Sequence, residues 1–175
     1  MTRFAILIGL LLFNANGAQG ATPSVQTRSI IDAPMGVVWG VMTDYQNLDE
    51  LTPGYQAGAL ISETRTQRIV DLKTKPSRLL PLFQYRLKFT EDAPNHRVKL
   101  ERIAGDFRHL NGTYQLVAKG EQTEVVYHLT ADPGTTVPAF AVGPLLKNQA
   151  DQCVKRLKDL SQSNYRRSVI GHRPE

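Results

Sequence analysis

The chain has 175 residues, 41% apolar and 21% charged, which suits one folded domain and excludes a disordered, collagenous or coiled-coil chain. Its 21 Lys and Arg against 16 Asp and Glu leave a net charge of +5, far below the density of a nucleic-acid-binding protein but favourable toward anionic surfaces. A single cysteine excludes an internal disulfide and any multi-thiolate zinc site, so stability must come from packing.

Residues 1–20 have the three parts of a secretory signal peptide: Arg3, an unbroken apolar run over 4–13, and a small, polar stretch ending at Ala18 and Gly20. The run is about half the roughly 20 residues needed to span a bilayer, so a leader cleaved after Gly20 is predicted rather than a permanent anchor. No cysteine follows it, which removes the lipoprotein option. The mature protein is therefore expected to be exported, to the periplasm in a Gram-negative bacterium and otherwise to the medium.

Residues 25–31 are β-prone. Asp32 or Ala33 is placed at a helix cap with Pro34 in the first turn, and Val37, Val38, Trp39, Val41 and Met42 predict a short, well-buried helix. A further helical turn is expected over 47–51, stopped by Pro53 and Gly54. From Tyr55 to Asp132 the pattern turns to alternation, with strands predicted at 68–73, 85–89, 98–101, 114–116 and 125–129. Ala93 to Asn95, Asn111-Gly112 and Lys119-Gly120 read as turns or bulges. Strands joined so closely must pair antiparallel, because a parallel crossover needs a dozen or more residues.

Pro133-Gly134 ends the strands. From Ala139, apolar residues recur at three- and four-residue steps through Val142, Leu146, Ala150, Cys153, Leu157 and Leu160. This predicts an amphipathic helix of about six turns, or five if Pro144 marks its first. Past Asn164 the period lapses, so 166–175, with Arg166, Arg167 and Arg173, is expected to be a frayed basic tail able to touch anionic lipid. One domain over 21–165 results.

This layout is α+β: one curved antiparallel sheet whose apolar face only the terminal helix is long enough to cover. The inward positions are Tyr85, Leu87, Phe89, Leu100, Tyr114, Leu116 and Tyr127 on the strands and Leu146 on the helix. Leu80, Phe83 and Phe140 are placed at the mouth of any gap, with Leu79 and Leu145 beside them. Such residues either line a ligand cavity or fill a solid core, and spacing does not choose between the two. A void of a few hundred Å³ behind the helix decides for binding. Arg102 shares a strand face with Val98 and Leu100. If that face is buried, its guanidinium needs an anion, either a ligand head group or Asp106; otherwise the strand end emerges into water.

Asp32-Ala33-Pro34, followed by Val37-Val38-Trp39 and Asp44-Tyr45, resembles the opening of the polyketide cyclase and coenzyme-Q-binding branch of the START-like, or helix-grip, superfamily. Gly105-Asp106-Phe107 through Gly112-Thr113-Tyr114 is similar to that branch's strand pair, with Tyr114 where an aromatic residue is usual. Thr123 through Tyr127 and the long helix entered at Pro138 complete the likeness, over about 25–162. The resemblance implies a cavity between sheet and helix holding a lipid, quinone or polyketide. The export signal sits badly with a cytosolic tailoring role.

No catalytic constellation accompanies it. His96, His109, His128 and His172 show no ligand spacing, and Glu63, Glu101 and Asp106 read as strand carboxylates able either to pair with neighbouring cations or, in an aromatic cavity, to act as acids. No metal and no cofactor is expected. The leading expectation is an exported binding protein for a hydrophobic small molecule, with no nucleic-acid partner. The rivals are a cyclase- or dehydratase-type enzyme and a partner-binding module with a solid core.

Overall fold

The computed structural model describes residues 22–170, so the leader over 1–20 and the last residues of the basic tail lie outside it. The element order is β1 (Ser24–Ile31), α1 (Met35–Met42), α2 (Leu48–Leu51), β2 (Tyr55–Glu63), β3 (Gln67–Thr74), β4 (Phe83–Asp92), β5 (Arg97–Gly105), β6 (His109–Lys119), β7 (Gln122–Asp132) and α3 (Ala139–Ile170). The strands form one antiparallel sheet in the order β1-β7-β6-β5-β4-β3-β2. Successive strands from β2 to β7 are neighbours, as their short connections require, and β1 returns to pair with β7.

Alternation decides which face is buried. Val70 and Leu72, Leu87 and Phe89, Val98 and Leu100, and Val125, Tyr127 and Leu129 all point to one side and are buried there. β2 adds a strand beyond those the sequence predicts, because its side chains are almost all exposed and carry no apolar alternation. Asn111-Gly112 is not a turn but lies inside β6, where Gly112 stands opposite Leu100 on one side and Leu129 on the other. A Cβ on Gly112 would meet Leu100 Cγ and Tyr127 Cε2, each at 3.1 Å, so packing rather than a turn requires glycine there. Gly105 ends β5 with φ 106°, and a Cβ there would lie 2.3 Å from the Gln84 carbonyl oxygen.

Pro34 itself caps α1, one or two residues later than the expected Asp32 or Ala33. Thr123, fully buried on β7, donates its hydroxyl to the Ala33 carbonyl at 2.8 Å and fixes the β1–α1 corner.

α3 begins at Ala139 with Pro144 inside it, and its 32 residues make it about 48 Å long. It does not fray at Asn164: the helix runs on to Ile170, carrying Arg166 and Arg167 on helical backbone. The apolar stripe lapses there because this last stretch is exposed, not because the helix has ended. Val142, Leu146, Ala150, Val154 and Leu157 form its buried stripe. Thr27 of β1 donates to Asp151 at 2.6 Å and Arg156 donates to the carbonyls of Asp49, Glu50 and Thr52 at 3.1–3.3 Å. The helix packs most closely on β1, β7 and α1. It therefore grips one side of the sheet and stands off β3, β4 and β5, and that separation is where the site forms.

Candidate functional site

Between α3 and the inner face of the sheet lies a cavity of about 160 Å³. Leu72 from β3, Phe83, Leu87 and Phe89 from β4, Leu100 from β5 and Leu129 from β7 build its floor. Val142, Leu145, Leu146 and Leu157 from α3 form the roof, while Met42, Leu48 and Leu51 close one end. Pro53, Pro76 and Pro133 edge the opening, where the Lys75 amide donates to the Gly54 carbonyl at 2.7 Å and joins two of the rim segments.

Aromatic rings shape the interior. Tyr114 and Tyr127, directly opposite on β6 and β7, stack at 3.9 Å with planes 4° apart. Phe107 stacks on Phe83 at 5.0 Å and meets Tyr85 edge-on at 5.2 Å. These contacts hold the rings against each other and leave the space above them empty. Beyond the cavity, Tyr45 packs edge-on to Phe89 at 5.1 Å, and Arg68, ion-paired to Glu63 at 2.9 Å, lies over the Tyr45 ring.

Among the described residues no Asp, Glu, Lys, Arg or His lines the cavity; its polar groups are Thr52, Thr74, Tyr85, Tyr114, Tyr127, Gln149 and Cys153. Thr74 donates its hydroxyl to the Tyr85 oxygen at 3.3 Å. Burial pushes the Tyr85 phenol up to about 12 and the Cys153 thiol up to about 11. Burial, with Cys153 next in importance, also holds the Tyr114 and Tyr127 phenols well above the usual range. All of these groups keep their protons at neutral pH, so the walls carry no charge.

Of the residues expected to bind ligand, Phe83, Tyr85, Leu87, Phe89, Leu100, Tyr114, Tyr127 and Leu146 line the cavity. Four do not. Leu116 is buried in the solid part of the core, near the β6–β7 connection and past the end of the void. Leu80 is half-buried against Phe83, Val137 and Val142 outside the lining. Phe140, in the first turn of α3, is 85% exposed. Arg102 turns away from the cavity: its Nη2 donates to the Gly105 carbonyl at 2.7 Å, and Asp106 accepts from the Gln84 amide instead of pairing with it.

The carboxylates are also elsewhere. Glu101 is paired with Lys88 and Lys99, each at 3.2 Å, and these cations hold its carboxyl below the usual carboxylate range. Among the described residues no cluster of three or more His, Cys, Asp or Glu could hold a metal ion. The sequence reading missed Gln149 and Cys153 as lining residues. Leu145, Gln149 and Cys153 recur at four-residue steps, so they form one ridge of α3 beside its buried stripe. That spacing was the available signal, hidden because Gln149 is polar and Cys153 reads as core.

Comparisons with known proteins agree with this geometry. The model of the family described as "Polyketide cyclase / dehydrase and lipid transport" matches residues 31–158. A search of curated protein sequences returns no match. Among solved structures, TTHA0849 from Thermus thermophilus superposes with a TM-score of 0.72 at 20% identity, covering 81% of this chain and 99% of its own. The Zhui aromatase/cyclase from Streptomyces sp. R1128 gives 0.68 at 14% identity, covering 85% and 96%. A STAR-related lipid transfer protein from Xanthomonas axonopodis gives 0.68 at 17% identity, covering 79% and 85%. With a seven-stranded antiparallel sheet gripping a long C-terminal helix, and a family model matched over most of its length, this chain belongs to the polyketide cyclase/dehydrase and lipid transport family of the START-like superfamily.

Proposed function

We propose that the protein is an exported carrier that holds a hydrophobic small molecule, a lipid, quinone or other isoprenoid, in the cavity between sheet and α3. The observation that carries this reading is an apolar void of about 160 Å³ that the protein's own side chains leave unfilled. The void is smaller than the few hundred Å³ anticipated, so it takes one ring or a short stretch of chain, with any longer tail leaving through the opening. Burial of apolar ligand surface contributes about 25 cal/mol per Å², enough for useful affinity without catalytic groups. Turnover receives no support from the lining, which among the described residues offers no carboxylate or histidine and whose phenols hold their protons.

Export rests on the leader sequence. Delivery from an anionic membrane fits the rim segments, where Leu79 is 95% and Phe140 85% exposed and Lys75 and Arg78 bring positive charge.

Native mass spectrometry of the purified protein, followed by organic extraction, tests the carrier reading. A neutral apolar molecule is expected to co-purify. Leu145→Trp, which drives an indole into the void, is expected to lose it while keeping the melting temperature within a few degrees. Wild-type protein that purifies empty, and takes up N-phenyl-1-naphthylamine no better than the Leu145→Trp variant, would overturn the reading.

A further inference from the structure

We infer that the cavity selects an uncharged, ring-bearing ligand with a hydrogen-bond acceptor, and that the Gln149 side-chain amide is the group that receives it. This rests on the binding reading above and narrows it to a chemical class. Gln149 Nε2 is buried and has no hydrogen-bond partner among the described residues. Folded proteins leave few buried donors in that state, because a donor stripped of water and left unpaired is costly. The other buried orphans, on Tyr45, Glu91, Arg102 and Ser161, belong to residues outside the lining. Gln149 is thus the one lining residue, among those described, with a buried side-chain polar atom that has no hydrogen-bond partner.

Tyr85 adds a second donor. Its oxygen accepts from Thr74, which leaves its own hydroxyl proton free to point at a ligand. Burial keeps that proton in place, with the phenol pushed up to about 12.

Charge and size complete the selection. A carboxylate or phosphate placed here would shed its hydration with no cation among the described lining residues to replace it, since Arg102 is engaged with Gly105 and Arg68 with Glu63. Acids are therefore rejected although the protein as a whole is basic. An apolar void of about 150 Å³ accommodates a benzene ring, so the 160 Å³ here admits one ring. The stacked Tyr114–Tyr127 pair and the Phe83–Phe107 pair supply faces and edges against which such a ring packs. A neutral ring with a carbonyl, ether or hydroxyl oxygen meets all three conditions.

Three matched probes test this by ligand-observed NMR titration at pH 7: acetophenone, α-methylstyrene (a methylene group in place of the carbonyl oxygen) and benzoate. Wild-type protein is expected to bind acetophenone about tenfold more tightly than α-methylstyrene, the worth of one buried hydrogen bond. Benzoate is expected to bind at least about a hundredfold more weakly than acetophenone. Gln149→Met, and independently Gln149→Leu, should bring acetophenone and α-methylstyrene within about twofold of each other without weakening α-methylstyrene. Thermal melts of both variants confirm folding. The inference is overturned if the preference for acetophenone survives both substitutions, or if benzoate binds as well as acetophenone. If α-methylstyrene binds but acetophenone gains nothing, only this inference falls. If neither neutral probe binds, this inference falls, and co-purification together with N-phenyl-1-naphthylamine uptake decides whether the carrier reading falls with it.

Discussion

Gly112 shows how one residue sets the shape of the void. It lies mid-strand between Leu100 and Leu129, and its missing side chain lets the Tyr127 ring lie flat against β6, where Tyr114 stacks on it at 3.9 Å. Gly112→Ala must displace Tyr127, Leu100 or the His128 carbonyl, because a Cβ would sit 3.1–3.2 Å from all three. Overpacking of this kind costs about 1–3 kcal/mol, measurable as a lower urea midpoint with an unchanged m-value. At this scale the sequence reading succeeded where parity alone decides: residues 85, 87 and 89 alternate with charged neighbours, and all of them line the cavity. It failed for Arg102, whose strand face was read correctly. The left-handed turn at Gly105 brings a carbonyl back within 2.7 Å of the guanidinium, and local sequence does not reveal that encounter.

Among the elements, α2 is the one held most lightly. It has four residues, none of them buried, yet Leu48 and Leu51 close one end of the cavity. Its main tie to the rest is Arg156, one guanidinium nitrogen of which donates to the carbonyls of Asp49, Glu50 and Thr52. Arg156→Ala should cost about 1 kcal/mol of global stability, since these bonds are partly solvated. Its larger effect is expected on opening: faster hydrogen exchange at the α2 amides, and release of N-phenyl-1-naphthylamine accelerated by about threefold or more in stopped flow. Unchanged exchange in α2 would show that Arg156 does not hold this end shut. α2 and α1 were legible from composition and punctuation, but their place at the cavity was not. The long chain excursion from β1 to β2, at opposite edges of the sheet, carries them there.

For the whole molecule, the uncharged interior links stability to pH. Cys153 and Tyr85 have their proton affinities raised by burial, to about 11 and about 12, from ordinary values of 9.0 and 10.0. Between those limits the unfolded chain has lost protons that the folded chain retains, so raising the pH favours unfolding. Their contribution is therefore fully present below about pH 9 and disappears as the pH climbs through the folded values. Each group adds a slope of up to about 1.4 kcal/mol per pH unit within its window. Urea denaturation from pH 7 to 11 should show a flat region and then a steepening fall, and Cys153→Ala should delay its onset. A stability profile in which the Cys153→Ala variant follows wild type throughout would remove the thiol from this account.

Period, punctuation and net charge determined the antiparallel sheet, the long terminal helix and the inward set of aromatic side chains, because these follow from contacts between near neighbours in the chain. Only the tertiary structure decided that the sheet and α3 part company over β3 to β5, that the resulting void is about 160 Å³, and that no charged side chain among the described residues lines it. Those outcomes depend on where a 32-residue helix comes to rest across a curved sheet. That position is fixed by packing against β1, β7 and α1 and by ties such as Thr27 to Asp151, formed between residues more than a hundred positions apart. Spacing along the chain reports which side chains point inward; the separation of the surfaces they point into is a property of the assembled fold.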